Sequence, residues 1–249
     1  MIITTHSYRG GTGKSNATAN LATCFAGSGL RVGVIDIDLP SPGIHILFGE
    51  DEPARTINQV LFHRIPTKEA FLDVTPSELA DKGKIFLMPG SPKPSDIAQV
   101  VKQGYAMEEM VDIFREFTKA CALDLLLVDT HPGLNEPSLF SITVSDLVLM
   151  VLRPDRQDYQ GTAVTLDVAR KLGVPQIRLL VNKALVSLDW QALSATIEKT
   201  YGERCLGILP QADEMMRYGG NGLFCLQEPD HPLSKGLAAV AASILALRT

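Results

Sequence analysis

The sequence lacks the marks of several large functional classes. Its 249 residues hold four cysteines, and Cys24, Cys121, Cys205 and Cys225 form no Cys-x-x-Cys pair, which speaks against a zinc site or a bridged iron–sulfur cluster. Buried free thiols of a reducing cytosol are the expectation. There is no basic run and the formal net charge is −5, which argues against a generally basic nucleic-acid binder. No apolar stretch approaches the ~20 residues that a membrane span needs. The opening Met1-Ile2-Ile3-Thr4-Thr5-His6 has no charged leader region and no cleavage site. Internal repeats and low-complexity linkers are missing too. The expectation is a cytoplasmic protein with one domain over residues 1–249, long enough to bury a substantial core.

What is present begins with Tyr8-Arg9-Gly10-Gly11-Thr12-Gly13-Lys14-Ser15, between an apolar strand-like opening and an Ala-rich helical run from Asn16 to Ala26. Glycines at 10, 11 and 13 let the backbone take positive φ and approach a ligand closely. Successive N–H groups can then converge on a phosphate chain at the positive end of a helix. Lys14 would add a point charge at the outer phosphates and the Ser15 hydroxyl can ligate Mg²⁺. The plainer alternative is a tight glycine turn that binds nothing, with Lys14 merely solvated.

The rest of the chain alternates apolar runs with helical periodicity. Arg31 to Ile37 reads as a buried parallel strand that delivers Asp36 and Asp38 at its C-terminal edge, where open α/β sheets place their ligands. Two carboxylates one residue apart on a strand would share a face. The segment Leu39 to Gly49 reads as a loop entering a short helix, and Thr56 as the cap of another through about Phe62. Lys84 to Met88 is a strand, and the proline-rich stretch Pro89 to Pro94 reads as irregular. The stripe Met107, Met110, Val111, Phe114, Phe117 and Cys121 predicts a core-facing helix. Leu123 to Asp129 is a buried strand ending in an acid, followed by Thr130-His131-Pro132-Gly133, so Asp129 is placed to hold Mg²⁺ directly or through water. His131 reads as a loop histidine facing solvent, the alternative being a group that titrates in the site.

Further strands are expected over 145–152, 177–181 and before a loop that starts at Gly207, with helices over about 158–172 and from Pro232 toward Arg248. Together they predict a doubly wound, mostly parallel sheet of about seven strands with helices on both faces. Asn182-Lys183 invites a guanine-binding reading, but the aspartate required two places after the lysine is Leu185, so adenine is favoured. Asn182 reads equally as a strand-end turn former.

The glycine loop with a cation at position 9, the strand ending in Asp129 and the Gly207-x-x-Pro210-x-x-Asp213 loop, in that order, resemble the ParA/MinD family of deviant Walker A ATPases. The resemblance spans nearly the whole chain, although Tyr8 stands where a strict P-loop has glycine and Arg9 where that family usually has lysine. It implies ATP and Mg²⁺ as cofactors, with Gly10, Gly11, Thr12, Gly13, Lys14, Ser15 and Asn16 cradling the nucleotide. Asn182, Pro210 and Asp213 would lie at the adenine, and Ser15, Asp38 and Asp129 at the metal. Lys14, Asp38 and Arg9 would carry catalysis, Asp38 by orienting the attacking water and Arg9 by reaching into a partner subunit's nucleotide.

The same resemblance implies a weak ATPase that forms a homodimer in the ATP state and positions cargo or machinery with the help of an activating or cargo protein. Nucleoid DNA would be a partner of the dimer alone. The tail ends at Arg248 and Thr249 without a basic amphipathic segment, so membrane anchoring by that route is not expected. A nucleotide-gated adaptor that binds ATP and barely hydrolyses it is the alternative. A metal-cluster carrier on the same scaffold is set aside for want of a Cys-x-x-Cys pair.

Overall fold

The computed structural model describes residues 1–218 and 220–248, with the backbone alone of Met216; Thr249 lies outside the described residues. The chain opens with β1 (Ile2–His6), passes through the glycine loop and enters α1 (Lys14–Gly27). Next come β2 (Arg31–Asp36), the short helices α2 (Ile44–Leu47) and α3 (Ile57–Leu61), β3 (Leu72–Asp73) and β4 (Lys84–Met88). Helices α4 (Pro94–Gln103) and α5 (Met107–Ala120) lead to β5 (Leu125–Asp129), α6 (Glu136–Thr143), β6 (Leu147–Leu152) and α7 (Arg156–Lys171). The chain closes with β7 (Ile177–Ala184), α8 (Trp190–Tyr201), β8 (Arg204–Pro210), α9 (Glu214–Arg217), α10 (Phe224–Gln227) and α11 (Pro232–Leu245).

Among the described residues one sheet holds all the strands in the order β3-β4-β2-β5-β1-β6-β7-β8, and every pairing but one is parallel. It has eight strands instead of about seven; the extra one is β3, two residues lying antiparallel on the edge of β4. So short a piece carries no alternation of its own and forms only because β4 offers it an edge.

Side chains along each strand alternate between two packed faces. Leu125 and Leu127 pack against α1 and α11 with Val32, Val34 and Leu87, whereas Leu126 and Val128 pack on the opposite side with Phe114 and Phe117 of α5. Strands buried on both sides explain the unbroken apolar runs. On α5 the buried face is Met110, Ile113, Phe114 and Phe117, while Val111, expected inside, is 37% exposed. The proline stretch also ends sooner than its composition suggests. Pro94 is the first residue of α4, a position where its missing N–H costs nothing and its fixed φ suits the helix.

The strand order puts the C-terminal ends of β2, β5 and β1 side by side, with Asp36 beside Asp129 and Thr5 beside Asp129 in register. Three loops therefore open onto one edge, carrying Arg9 to Lys14, Asp38 and His131.

Candidate functional site: a phosphate-type cleft joined to an apolar pocket

Gly13 caps α1 in the left-handed region, and no side chain caps the helix start. Gly11 and Gly13 have φ of 79° and 86°, where a side chain would be strained. A Cβ on Gly13 would also lie 2.5 Å from Asn182 Nδ2. Glycine is thus required there for both its conformation and its size. The uncapped helix start faces a cleft of ≈ 330 Å³ lined by the loop from Gly10 to Asn16 together with Asp38, Ser41, His131 and Pro132.

Within this cleft Lys14 Nζ donates to Asp129 Oδ1 at 2.8 Å, and both side chains are nearly inaccessible. Thr18 Oγ1 lies 3.3 Å from the same oxygen and 3.0 Å from Lys14 O. Asp38 Oδ1 is 2.6 Å from His131 Nδ1. Burial pushes the Asp38 carboxyl up, and the bond from His131 works against that rise. His131 is therefore not a bystander in solvent. It joins the loop after β5 to the loop after β2.

Asp36 does something different from Asp38. The strand ends at Asp36, so strand alternation does not extend to Asp38. The Asp36 carboxylate instead accepts from the N–H groups of Asp38, at 3.0 Å, and Gly43, at 3.2 Å. Fully buried and near Asp129 and Asp38, its carboxyl is pushed up to about 8, chiefly by desolvation. It shapes the loop that carries Asp38.

His6 was not singled out by the sequence. It is wholly buried at the end of β1, with Nδ1 2.8 Å from Thr130 Oγ1. The Thr130 hydroxyl donates its one proton to Thr5 O, so it must accept from His6 Nδ1–H. Nε2 then carries the bare lone pair and has no partner among the described residues. Burial, with the nearby charges of Lys14 and His131, pushes this imidazole down to about 3.

A second, more apolar hollow of ≈ 430 Å³ adjoins the cleft through Gly13 and Asn16, lined also by Asn182, Lys183, Pro210, Gln211, Ala212 and Met215. Asn182 Nδ2 donates to Thr12 O at 2.8 Å, and Lys183 Nζ donates to Gly11 O at 2.8 Å. The Asn-Lys pair thus grips two carbonyls of the glycine loop. Lys183 does so from the left-handed region, φ 58°. Asp213 does not line this hollow. It lies at the neighbouring one with Val186, Trp190 and His231.

Arg9 turns back onto its own chain, with one guanidinium nitrogen 3.9 Å from carboxylate oxygens of both Asp155 and Asp158. Asp155 caps α7, accepting from the N–H groups of Gln157 and Asp158. Beside it the Tyr8 ring lies flush on α7, where a Cβ on Gly161 would come within 1.9 Å of Tyr8 Cδ1.

A glycine-cradled helix start, a buried lysine paired to an aspartate on the adjacent strand and an adjoining apolar hollow form a nucleotide-type site. The family model that matches is ParA, described as NUBPL iron-transfer P-loop NTPase, over residues 1–245. The chain belongs to the ParA family. The chain superposes on the cell division ATPase MinD of Pyrococcus furiosus with a TM-score of 0.82 at 21% identity, covering 99% of this chain and 98% of that one. The septum site-determining protein MinD of Pyrococcus horikoshii, complexed with Mg-ADP, gives 0.83 at 19% identity, covering 99% and 96%. At such identities the likeness establishes the fold.

Among curated relatives, this ParA-family chain is 24% identical over 96% of its length to an uncharacterized ATP-binding protein of Methanocaldococcus jannaschii, covering 85% of that protein. It is 26% identical, again over 96% of its length, to an iron-sulfur cluster carrier protein of Aquifex aeolicus, but spans only 66% of that relative. The carrier reading, set aside on cysteine spacing, therefore returns as a candidate through the family's own description.

Proposed function

We propose that this ParA-family chain is an ATP-dependent switch that binds ATP with Mg²⁺, hydrolyses it slowly and pairs with a second copy in the ATP state to position cargo or machinery. The observation that carries this reading is the Lys14–Asp129 pair inside a glycine-cradled cleft continuous with an apolar hollow. Phosphates entering the cleft would meet the N-terminal dipole of α1 and take Lys14 as a charge-assisted donor. Asn182 and Pro210, which line the apolar hollow, would contact the base, whereas Asp213 lines the next hollow.

The donor set suits Mg²⁺. Ser15, Asp38 and Asp129 offer hard oxygen atoms, and Mg²⁺ characteristically takes one or two carboxylates together with substrate phosphates, not a full protein cage. When bound, the ion would neutralise charge on the phosphate oxygens. Asp38, held by His131, would orient the attacking water, and Arg9 would complete the site of the facing subunit. Catalysis of this kind is positioning and charge neutralisation, so turnover awaits an activating partner.

Equilibrium binding of ATP and GTP, followed by phosphate release with and without cell extract, tests the proposal. ATP binding with no hydrolysis under any condition would favour a nucleotide-gated adaptor. Absence of binding sinks both readings. The carrier reading is supported by the relatives' names and is tested separately, by iron and sulfide content after anaerobic reconstitution.

A further inference from the structure

Two of the four cysteines, 201 positions apart in the chain, meet in the fold: Cys24 Sγ lies 3.9 Å from Cys225 Sγ, and both residues are half-buried free thiols. They are neither fully buried nor isolated, contrary to the sequence expectation. We propose that Cys24 and Cys225 are a redox modification site, closed by a peroxide into an intramolecular disulfide that clasps α10 to α1 beside the nucleotide pocket.

The backbone is held for this bond. Cys225 N–H donates to Asn20 Oδ1 at 2.8 Å, one turn before Cys24 on α1. Asn20 is itself buried and fixed by its Nδ2 donating to Asn16 O at 2.9 Å. Phe224, next to Cys225, is sunk in the core. The sulfurs must close from 3.9 Å to a bond of about 2.05 Å.

The two thiols are also unequal. Cys24 S–H donates to Cys225 Sγ, a bond that favours the Cys225 thiolate and disfavours the one on Cys24. With Cys225 as the attacking sulfur, Cys24 would be the resolving one. The Cys225 thiolate attacks one peroxide oxygen, the O–O bond breaks, hydroxide departs and a sulfenic acid is left. Cys24 sulfur then attacks that sulfur; the S–O bond breaks, the S–S bond forms and hydroxide leaves with the Cys24 proton as water. Two thiols give up two protons and two electrons, and the peroxide becomes two waters. The other cysteines are poorly placed: Cys121 is buried and pushed up to about 11, and burial also raises Cys205.

The consequence follows from what the two helices carry. α1 begins at the glycine loop. The segment between β8 and α10 brings Gln211, Ala212 and Met215 to the apolar hollow. A bond from Cys24 to Cys225 ties that wall to the glycine-loop helix, and nucleotide exchange is slowed. This last step rests on the nucleotide reading; the cross-link does not.

The test uses the full chain, reduced, desalted and exposed to hydrogen peroxide. Expected are loss of two of its four titratable thiols, an intact mass lower by about 2 Da, a peptide joining Cys24 to Cys225, and full reversal by a thiol reductant. In Cys24→Ser a sulfenic acid on Cys225 is trapped by dimedone; in Cys225→Ser no linked peptide forms. Peptide mapping of the parent decides the question should either variant fail to fold. Cross-linked dimers, a link between other cysteines or overoxidation of Cys225 without a link would overturn the site. A disulfide that forms but leaves release of a fluorescent ATP analogue unchanged overturns the clamp. A chain that binds no nucleotide leaves the cross-link standing and removes only the function proposed above.

Discussion

Lys14 Nζ is hydrogen-bonded to Asp129 Oδ1 at 2.8 Å, with 7% and 2% of the two side chains exposed. The cation at the end of the glycine loop is thus already neutralised inside the chain. Ligand binding is then an exchange of partners. The pair also has a cost when broken, because either member alone is a buried charge.

Removing Lys14 should have two separable effects. In the nucleotide-free chain Lys14→Ala strands Asp129 and lowers stability by about 3 kcal/mol, and Asp129→Asn does similar harm, whereas the double variant loses much less than the sum. Urea midpoints of the four proteins measure this. ATP affinity of Lys14→Ala should fall by a further 1.5–3 kcal/mol, roughly the worth of a charge-assisted contact. Additive destabilisation would mean that the pair is incidental.

Arg9→Ala should leave single-chain ATP affinity nearly unchanged while ATP-dependent dimers disappear in sedimentation, and Arg9→Lys should restore them if a cation is all the interface needs. In the free chain the contacts to Asp155 and Asp158 are long, 3.9 Å, and Arg9 is 43% exposed. The stability loss should accordingly stay within about 1 kcal/mol. Intact dimers in both variants would leave Arg9 as a loop charge only.

Asp38→Ala should bind ATP and accumulate the ATP dimer, since it removes a water-orienting group without touching the glycine cradle. His131→Ala should resemble it in direction, with a smaller drop in phosphate release, because Asp38 remains but loses the bond at 2.6 Å. His131→Asn, which keeps a donor, should recover part of the loss. Full activity in His131→Ala would show that the contact has no bearing on turnover.

Acid should act through His6. Its folded value near 3 lies below the unfolded value of 6.5, so above the latter both states hold it neutral and its contribution is complete. As pH falls from about 6.5 toward 3, the unfolded chain takes up a proton that the fold refuses. Stability then drops by about 1.4 kcal/mol per pH unit from this group. Asp36 opposes it: raised to about 8, it keeps a proton in the fold that the unfolded chain releases above roughly pH 4, so its share of stability falls as pH rises through that window. His6→Gln removes the first slope and leaves the second. A parent-minus-variant stability difference that stays constant between about pH 7 and about pH 5 would refute the assignment.

The sequence by itself determined whatever is decided within a few residues. Glycines at 11 and 13 announced a backbone with positive φ and Thr56 announced a helix start, where the fold adds a bond from Thr56 N–H to Gln59 Oε1 at 2.9 Å. The apolar run to Asp129 announced a strand buried on both faces, and the order of motifs announced a doubly wound sheet. Only the tertiary structure decided which side chains meet. Lys14 finds Asp129, His131 finds Asp38, His6 finds Thr130 and Cys24 finds Cys225 because β1 threads between β5 and β6, β2 lies beside β5, and α10 settles on α1. Parallel strands are joined by long crossovers, so neighbours in the sheet are distant in the chain. A loop histidine or a scattered cysteine carries no local trace of the partner that the strand order will bring to it.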